Sequence, residues 1–392
     1  MLERAPGLRV HFVVHHHRDR AAGASGATLA LGDALETLGC HVSYYFFDDA
    51  FGAEWSSEVW RMVRFPWHVA RHLSDAAARV EIVDATSGDA WVWTWRGRPG
   101  GLTAALVTRA HGLEHVTSLD LRRRARARTL ALSWKYPVYH GGYRLWEVRR
   151  SMTGADGQIF LNQADREYAM SRFGVSAATS IVLPNGVPDR LLDLSRVTPG
   201  ANASSPIALA FVGSWIPRKG SSAVAEMASV LHSRGLSFSL RLLGTGTNAT
   251  SVLADFAPNV HGRVSVTPRY APDELPRLLE GAEVLVHPSW TEGFSLALVE
   301  GMACGLAPVA TASGGASDVV RNGETGLLLA DESGLSLADA VTMLSADRAM
   351  LGRLRSAAQA EVQRLRWTAV AERSLAFYRA TIAHRASAGA RA

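Results

Sequence analysis

The sequence predicts an α/β protein of two Rossmann-like, doubly wound domains, each a parallel sheet covered by helices. Three observations carry this. Short apolar runs alternate with amphipathic stretches along the chain, the pattern of strands and helices in parallel layers. The alternation breaks at the Pro-, Gly-, Ser-, Ala- and Asn-rich stretch 195–206 and restarts at Ile207. The 392 residues are more than one ordinary domain needs and suit two.

In the first domain, residues 1–194, the apolar run 8–16 predicts a strand, 28–39 a helix and 41–47 the next strand. Residues 80–86, 103–109 and 157–161 read as further strands. A helix over 164–173 and a strand over 180–184 follow, closed by the turn dipeptide Asn185-Gly186. The stretch 195–206 has linker composition. In the second domain, residues 207–366, strands are expected at 207–212, 237–243, 264–266, 283–287 and 307–311, with a helix at 221–233. The tail 367–392 predicts a helix over 369–384, anchored by Leu375, Phe377 and Tyr378 and packed back on the first domain. Doubly wound domains bind ligands at the carboxyl ends of their strands, and a cleft between two such domains is the expected binding site.

Composition narrows the classes. No apolar run reaches the roughly 18 residues of a membrane span; the longest candidate, 296–310, contains Glu300. Glu3 and Arg4 before one short apolar run read as the approach to a first strand, not a signal peptide. Cys40 and Cys304 lie far apart, make neither a disulfide framework nor a metal spacing, and suit a cytoplasmic protein. The net charge is +5, with arginines clustered at Arg122, Arg123, Arg124, Arg126 and Arg128. That cluster reads either as a solvated helix face or as a patch for anionic membrane lipid or a phosphorylated acceptor. No aromatic platform or nucleic-acid motif accompanies it, so no nucleic-acid partner is expected.

The segment from Val284 to Leu328 carries the most chemistry. A strand ends at Pro288-Ser289, and the loop 290–295 turns into a helix from Leu296. A helix start offers free N–H groups and the positive end of the dipole, a ready anion site. Gly293 permits close approach of a ligand to the backbone. Glu292 and Glu300 are eight positions apart, within roughly 80° of each other on helical spacing. Ionised carboxylates accept hydrogen bonds from paired sugar hydroxyls.

A second loop, Gly213-Ser214-Trp215-Ile216-Pro217-Arg218-Lys219-Gly220, carries two adjacent cations after a strand. Fixed cations there can stabilise charge developing on a departing diphosphate; Arg grips phosphate with a fork and Lys acts as a point charge. Gly244-Thr245-Gly246 makes a tight turn after the next strand. His15-His16-His17 is a poor metal chelate, because adjacent strand residues point to opposite faces. With no Asp-x-Asp pair either, no metal site is expected.

The string from Glu292 to Thr311, continued by Ser313-Gly314-Gly315, Asp318 and Asn322-Gly323-Glu324-Thr325-Gly326, resembles the signature of family-4 retaining glycosyltransferases. The resemblance implies the GT-B architecture, two Rossmann-like domains facing across a cleft, and transfer with retention from a nucleotide diphosphate sugar such as a UDP- or GDP-sugar, with no other cofactor. It places Glu292 by the donor sugar and Glu300 on the ribose. The amides of Gly293, Phe294 and Ser295 would hold the sugar and the distal phosphate, and Lys219 the diphosphate. The family has an arginine where this chain has Ser214, so Arg218 stands in for that charge. Gly213, Gly244 and Gly246 would wall the nucleotide pocket, and Arg269-Tyr270 resembles the loop that contacts the base. In the first domain, His111 would face donor sugar and acceptor, or simply close a strand end, while Ser25-Gly26 aligns with a phosphate-side Gly-Gly turn.

The acceptor, whether glycan, glycolipid or small molecule, and the pathway, cell-surface polysaccharide synthesis included, stay open. So do three other readings: an epimerase or phosphorylase on the same fold, a non-catalytic sugar-nucleotide-binding partner, and, least supported for want of a G-x-G-x-x-G turn, a dehydrogenase.

Overall fold

The computed structural model describes residues 7–20, 22–52, 57–97, 103–194 and 206–389. The chain divides into two compact units: one runs up to Gly186 and resumes at Trp367, the other is Val187–Arg366. The linker predicted at 195–206 lies, apart from Pro206, outside the described residues. Val187 and the short helix Asp189–Leu192 belong with the second unit, so the division falls ahead of that linker.

The first unit holds strands β1 (Arg9–Val14), β2 (His41–Phe46), β3 (Ile82–Thr86), β4 (Ala105–Ala110), β5 (Gly157–Phe160) and β6 (Ser180–Val182). They form one parallel sheet in the order β2-β1-β3-β4-β5-β6. β3 and β4 are buried throughout, as strands covered on both faces must be. One face packs on the helix Gly23–Thr37 and the terminal helix Trp367–Gly389, with Leu31, Leu35, Val370 and Tyr378 in the shared core. The other packs on Glu58–Ala76, whose Phe65, Val69 and Leu73 meet Val83, Ala85 and Leu106.

The terminal helix is tied to this sheet by a buried polar triad as well as by packing. The Tyr378 hydroxyl donates to Asp84 Oδ2 at 2.6 Å, and Arg109 Nη2 donates to the same oxygen at 2.8 Å. Burial works against the Arg109 charge, but Asp84 and Tyr378 outweigh it and raise the guanidinium's pKa.

The second unit holds β7 (Ile207–Val212), β8 (Phe238–Leu243), β9 (Val264–Thr267), β10 (Val284–His287), β11 (Ala307–Thr311) and β12 (Leu327–Leu329). Their order, β12-β11-β10-β7-β8-β9, is again all parallel. The two doubly wound sheets are the ones the sequence predicts. β12, three leucines after a turn, is an addition to the predicted strands, and so are the helices Glu58–Ala76, Glu114–Arg126 and Arg144–Thr153.

Candidate functional site

In open parallel sheets, ligands sit outside the carboxyl ends of the strands, where the strand order reverses and neighbouring loops part. In the second unit the reversal lies between β7 and β10. The loops leaving these two strands carry Lys219 and Glu292.

These loops are fitted to each other at the backbone. Trp290 N donates to Arg218 O at 3.0 Å, and Arg218 Nη1 donates to Thr291 O at 3.3 Å. Gly220 has φ +78°, and a Cβ there would lie 2.4 Å from the Pro288 carbonyl oxygen, so only glycine allows the approach. Gly315 does the same on the other flank. A Cβ at Gly315 would lie 2.7 Å from Phe294 Cα, and Gly315 N donates to Glu292 O at 3.3 Å.

Across this junction Lys219 Nζ is paired with Glu292 Oε1. The Glu292 side chain is only 6% exposed. Burial works against its ionisation, but His287 and Lys219 hold its carboxyl down at about 2. His287, on the last residue of β10, places Nε2 3.6 Å from Glu292 Oε1, and that nitrogen has no hydrogen-bond partner. Burial pushes the imidazole down to about 4, so at neutral pH the standing cation beside Glu292 is Lys219. Ser295 caps the helix Leu296–Ala303, its Oγ accepting from Leu298 N. Gly293, Phe294 and Ser295 thus form the helix entry that the sequence predicts.

Glu300 lies further down that helix in different surroundings. Burial pushes its carboxyl up to about 7, opposed by Arg190. Burial and Glu300 together push the Tyr270 hydroxyl up to about 12. The Tyr270 ring lies over Gly244, where a Cβ would meet Tyr270 Cε1 at 3.1 Å. Gly244 and Gly246 both have positive φ, and their N–H groups donate to Thr267 O and Pro268 O. The tight turn therefore seats Tyr270 beside Glu300, while the Arg269 side chain is exposed. Gly213, with φ +142°, lies against the Lys219 stem. The second unit thus sorts the predicted residues into two neighbourhoods, Lys219–Glu292, which His287 joins, and Glu300–Tyr270.

In the first unit the strand order reverses between β1 and β3. His15 follows β1 and Asp89 follows β3, and His15 Nδ1 meets Asp89 Oδ1 at 2.8 Å; burial pushes that carboxyl up to about 8. Arg144 Nη2 reaches His15 Nε2 at 3.4 Å and Glu114 Oε1 at 3.0 Å. Arg144 thus donates to Nε2, leaving Nδ1–H to donate to Asp89. Burial pushes His15 down to about 3, which keeps the ring neutral. His16 packs on the His15 ring, while His17 pairs with Asp48, so the three histidines face different partners. Asp89, Glu114 and Arg144 were not singled out from sequence. The turn Ser87-Gly88-Asp89 directly after a buried strand was the available signal.

His111 follows β4, half-buried, and burial and Arg109 push it down to about 3. Ser25 and Gly26 lie in the first turn of the helix Gly23–Thr37 and brace the preceding loop: Ser25 Oγ accepts from Asp19 N at 3.1 Å, and a Cβ at Gly26 would meet Arg20 O at 2.4 Å. The arginine cluster ends the helix Glu114–Arg126. Arg123 and Arg124 pair with Asp120, and Arg122 donates to Gly141 O.

Residues 206–347 match the family model described as "Glycosyl transferases group 1". The chain is 28% identical over 287 residues to a D-inositol 3-phosphate glycosyltransferase of Nocardia farcinica, covering 64% of this chain and 62% of that protein. It is 30% identical over 282 residues to the protein of the same name from Rhodococcus jostii, with 63% and 62% covered. The chain therefore spans less than two thirds of the length of these curated relatives. Among solved structures it is similar to sucrose-phosphate synthase from Thermosynechococcus elongatus, with a TM-score of 0.73, 22% identity and 96% and 99% of the two chains covered. A glycosyltransferase from Rickettsia africae gives a TM-score of 0.66 at 14% identity, with 96% and 99% covered. The fold is that of these GT-B glycosyltransferases.

Proposed function

Because its second unit carries a glycosyl transferases group 1 domain, we propose that this chain transfers a sugar from a nucleotide diphosphate sugar to an acceptor hydroxyl, with retention at the anomeric carbon. The observation that carries this reading is the Lys219–Glu292 pair at the strand-order reversal. Lys219 neutralises charge on the departing diphosphate. Glu292, kept ionised, accepts hydrogen bonds from hydroxyls of the transferring sugar. Glu300 accepts from the ribose hydroxyls, Tyr270 packs against the nucleoside, and the amides of Gly293, Phe294 and Ser295 hold the distal phosphate.

In the step itself the bond from the anomeric carbon to the phosphate oxygen breaks, and the bond to the acceptor oxygen forms on the same face. The acceptor proton passes to the leaving diphosphate. Positioning and charge stabilisation supply most of the acceleration. In the first unit, the neutral His15 and His111 rings and Asp89, whose carboxyl burial pushes up to about 8, offer donors and acceptors suited to hydroxyl groups.

The curated relatives are named for D-inositol 3-phosphate, which makes it the first acceptor to try. Calorimetric titration of the protein with UDP-, GDP- and ADP-sugars, followed by transfer assays with the donor that binds, tests the reading. Failure of every nucleotide sugar to bind would overturn it. Turnover of donor without any acceptor would favour an epimerase instead.

A further inference from the structure

Three helices of the first unit repeat one arrangement of tryptophan and arginine. On Glu58–Ala76, Trp60, Arg64, Trp67 and Arg71 follow at i, i+4, i+7 and i+11, a spacing that sets them on one face. The opposite face, with Phe65, Val69 and Leu73, is buried in the core. Trp146 and Arg150 repeat the i, i+4 spacing on Arg144–Thr153, and Trp95 with Arg96 ends the short helix Trp91–Trp95. Ring contacts join the three helices: Trp67 lies 6.4 Å from Trp95 and 5.9 Å from the buried Trp91, which lies 4.8 Å from Trp146. The Arg96 guanidinium sits 4.9 Å above Trp67. Trp60, Trp67, Trp95 and Trp146 nevertheless remain 60%, 40%, 56% and 48% exposed. A single exposed hydrophobic residue calls for no explanation, but a contiguous group of tryptophans does.

We propose that this face docks on the surface of an anionic lipid bilayer. Tryptophan favours the headgroup level, where its ring is half in apolar surroundings and its N–H in polar ones. Arg64, Arg71, Arg96 and Arg150 are all exposed, and among the described residues none of the four has a carboxylate partner. Their charge complements lipid phosphates. The two acidic residues of the helix Glu58–Ala76 stand at its ends: Glu58 falls on the side away from the Trp–Arg stripe, and Asp75 adds one negative charge to the stripe's far end, a turn beyond Arg71. A second copy of this chain is a poor occupant, because a two-fold contact through this face would set the same arginines against one another. Among the described residues no helix is long and apolar enough to cross a membrane, so the attachment is peripheral. The contact that the arginine cluster at 122–128 suggested thereby moves to the Trp–Arg face, since Arg122, Arg123 and Arg124 already have partners within the unit. The proposal does not depend on the donor chemistry.

The test is co-sedimentation of the full chain with vesicles of phosphatidylcholine, alone or mixed with phosphatidylglycerol. The mixed vesicles should bind it, and high salt should release it. Arg64→Glu/Arg71→Glu/Arg150→Glu should weaken binding by about a hundredfold or more, about fivefold for each basic charge removed and further for the charge reversed, with an unchanged melting temperature. Trp60→Ser, at the most exposed ring of the group, should weaken binding without affecting the fold. Equal binding to both vesicle types, no binding, or binding indifferent to the charge reversal would overturn the proposal. So would a concentration-dependent dimer in sedimentation equilibrium that the same substitutions abolish, which would make the face a contact between copies.

Discussion

The Lys219 ammonium and the Glu292 carboxylate form an ion pair that ties the loop after β7 to the loop after β10, at the reversal of strand order in the second unit. Both side chains are largely buried, so the pair is a structural clasp in the free protein as well as a pair of proposed reacting-site groups. A diphosphate that engages Lys219 has to share it with Glu292 or displace it.

The first prediction follows from that double role. Lys219→Met should cost stability as well as turnover. It leaves the Glu292 carboxylate buried without its cation, and breaking a buried pair costs about 3–5 kcal/mol. Lys219→Met/Glu292→Gln should recover much of that loss, because the amide carries no charge, yet turnover should stay about a hundredfold or more below normal. Urea denaturation of the single and double variants checks it. Equal stability of Lys219→Met and the unmodified protein would show that the pair contributes nothing to folding.

The second prediction separates the two glutamates. Glu300→Gln should weaken binding of the free nucleoside diphosphate and of the intact donor alike, by the roughly 1.5–3 kcal/mol of hydrogen bonds to a charged group. Glu292→Gln should leave nucleoside diphosphate affinity nearly intact and lower turnover at saturating donor. Titration calorimetry beside transfer rates reads both. Equal loss of nucleoside diphosphate affinity in the two variants would erase the division of labour.

A third prediction concerns metal. With Lys219 at the strand-order reversal to meet the diphosphate charge, transfer should proceed undiminished in excess EDTA. Abolition by chelator and rescue by Mn²⁺ would show that a divalent ion does this work.

Much of the second unit was legible because its chemistry is local in sequence. Glu292, Gly293, Phe294 and Ser295 sit on one loop-to-helix junction, and Arg218, Lys219 and Gly220 on another. Each junction follows a buried strand, so residue type and order place them. His287 was not legible as a neighbour of Glu292, since a histidine closing an apolar run reads as strand. In the first unit the missing pieces are held by tertiary contacts. Arg144 reaches His15, 129 residues away, and nothing in their spacing says so. The helix Glu58–Ala76 was hidden by Pro66 in its middle and by a tryptophan- and arginine-bearing face that breaks the usual polar pattern. Ser25 and Gly26 fall in the first turn of the helix Gly23–Thr37, where they brace the preceding loop.

A fourth prediction is a pH dependence from Glu300. Burial raises its folded carboxyl from 4.5 to about 7, so between these values the folded state holds a proton that the unfolded chain has lost. Stability therefore falls as pH rises from about 4.5 to about 7, by up to about 1.4 kcal/mol per unit, and this contribution is constant beyond. Glu300→Gln should remove that slope. Denaturation midpoints of both proteins across this window decide it, and parallel curves would exclude Glu300 as the titrating group.

The last prediction concerns Asp84, Arg109 and Tyr378, which join the terminal helix to the first sheet. The Tyr378 hydroxyl and Arg109 Nη2 share one Asp84 oxygen, at 2.6 and 2.8 Å. Tyr378→Phe deletes one donor but leaves the ion pair, so it should cost about 1–2 kcal/mol. Asp84→Asn leaves the buried Arg109 without its counter-charge and should cost more, about 3–5 kcal/mol. Because Tyr378 belongs to the helix Trp367–Gly389 while Asp84 and Arg109 belong to β3 and β4, the Phe variant should loosen that helix before the rest of the unit opens. Hydrogen exchange should show faster opening over 367–389 than over β3 and β4, alongside a modest fall in the denaturation midpoint. Uniform acceleration across all three segments would mean that the terminal helix opens only with the sheet, and that the triad holds no separable boundary between them.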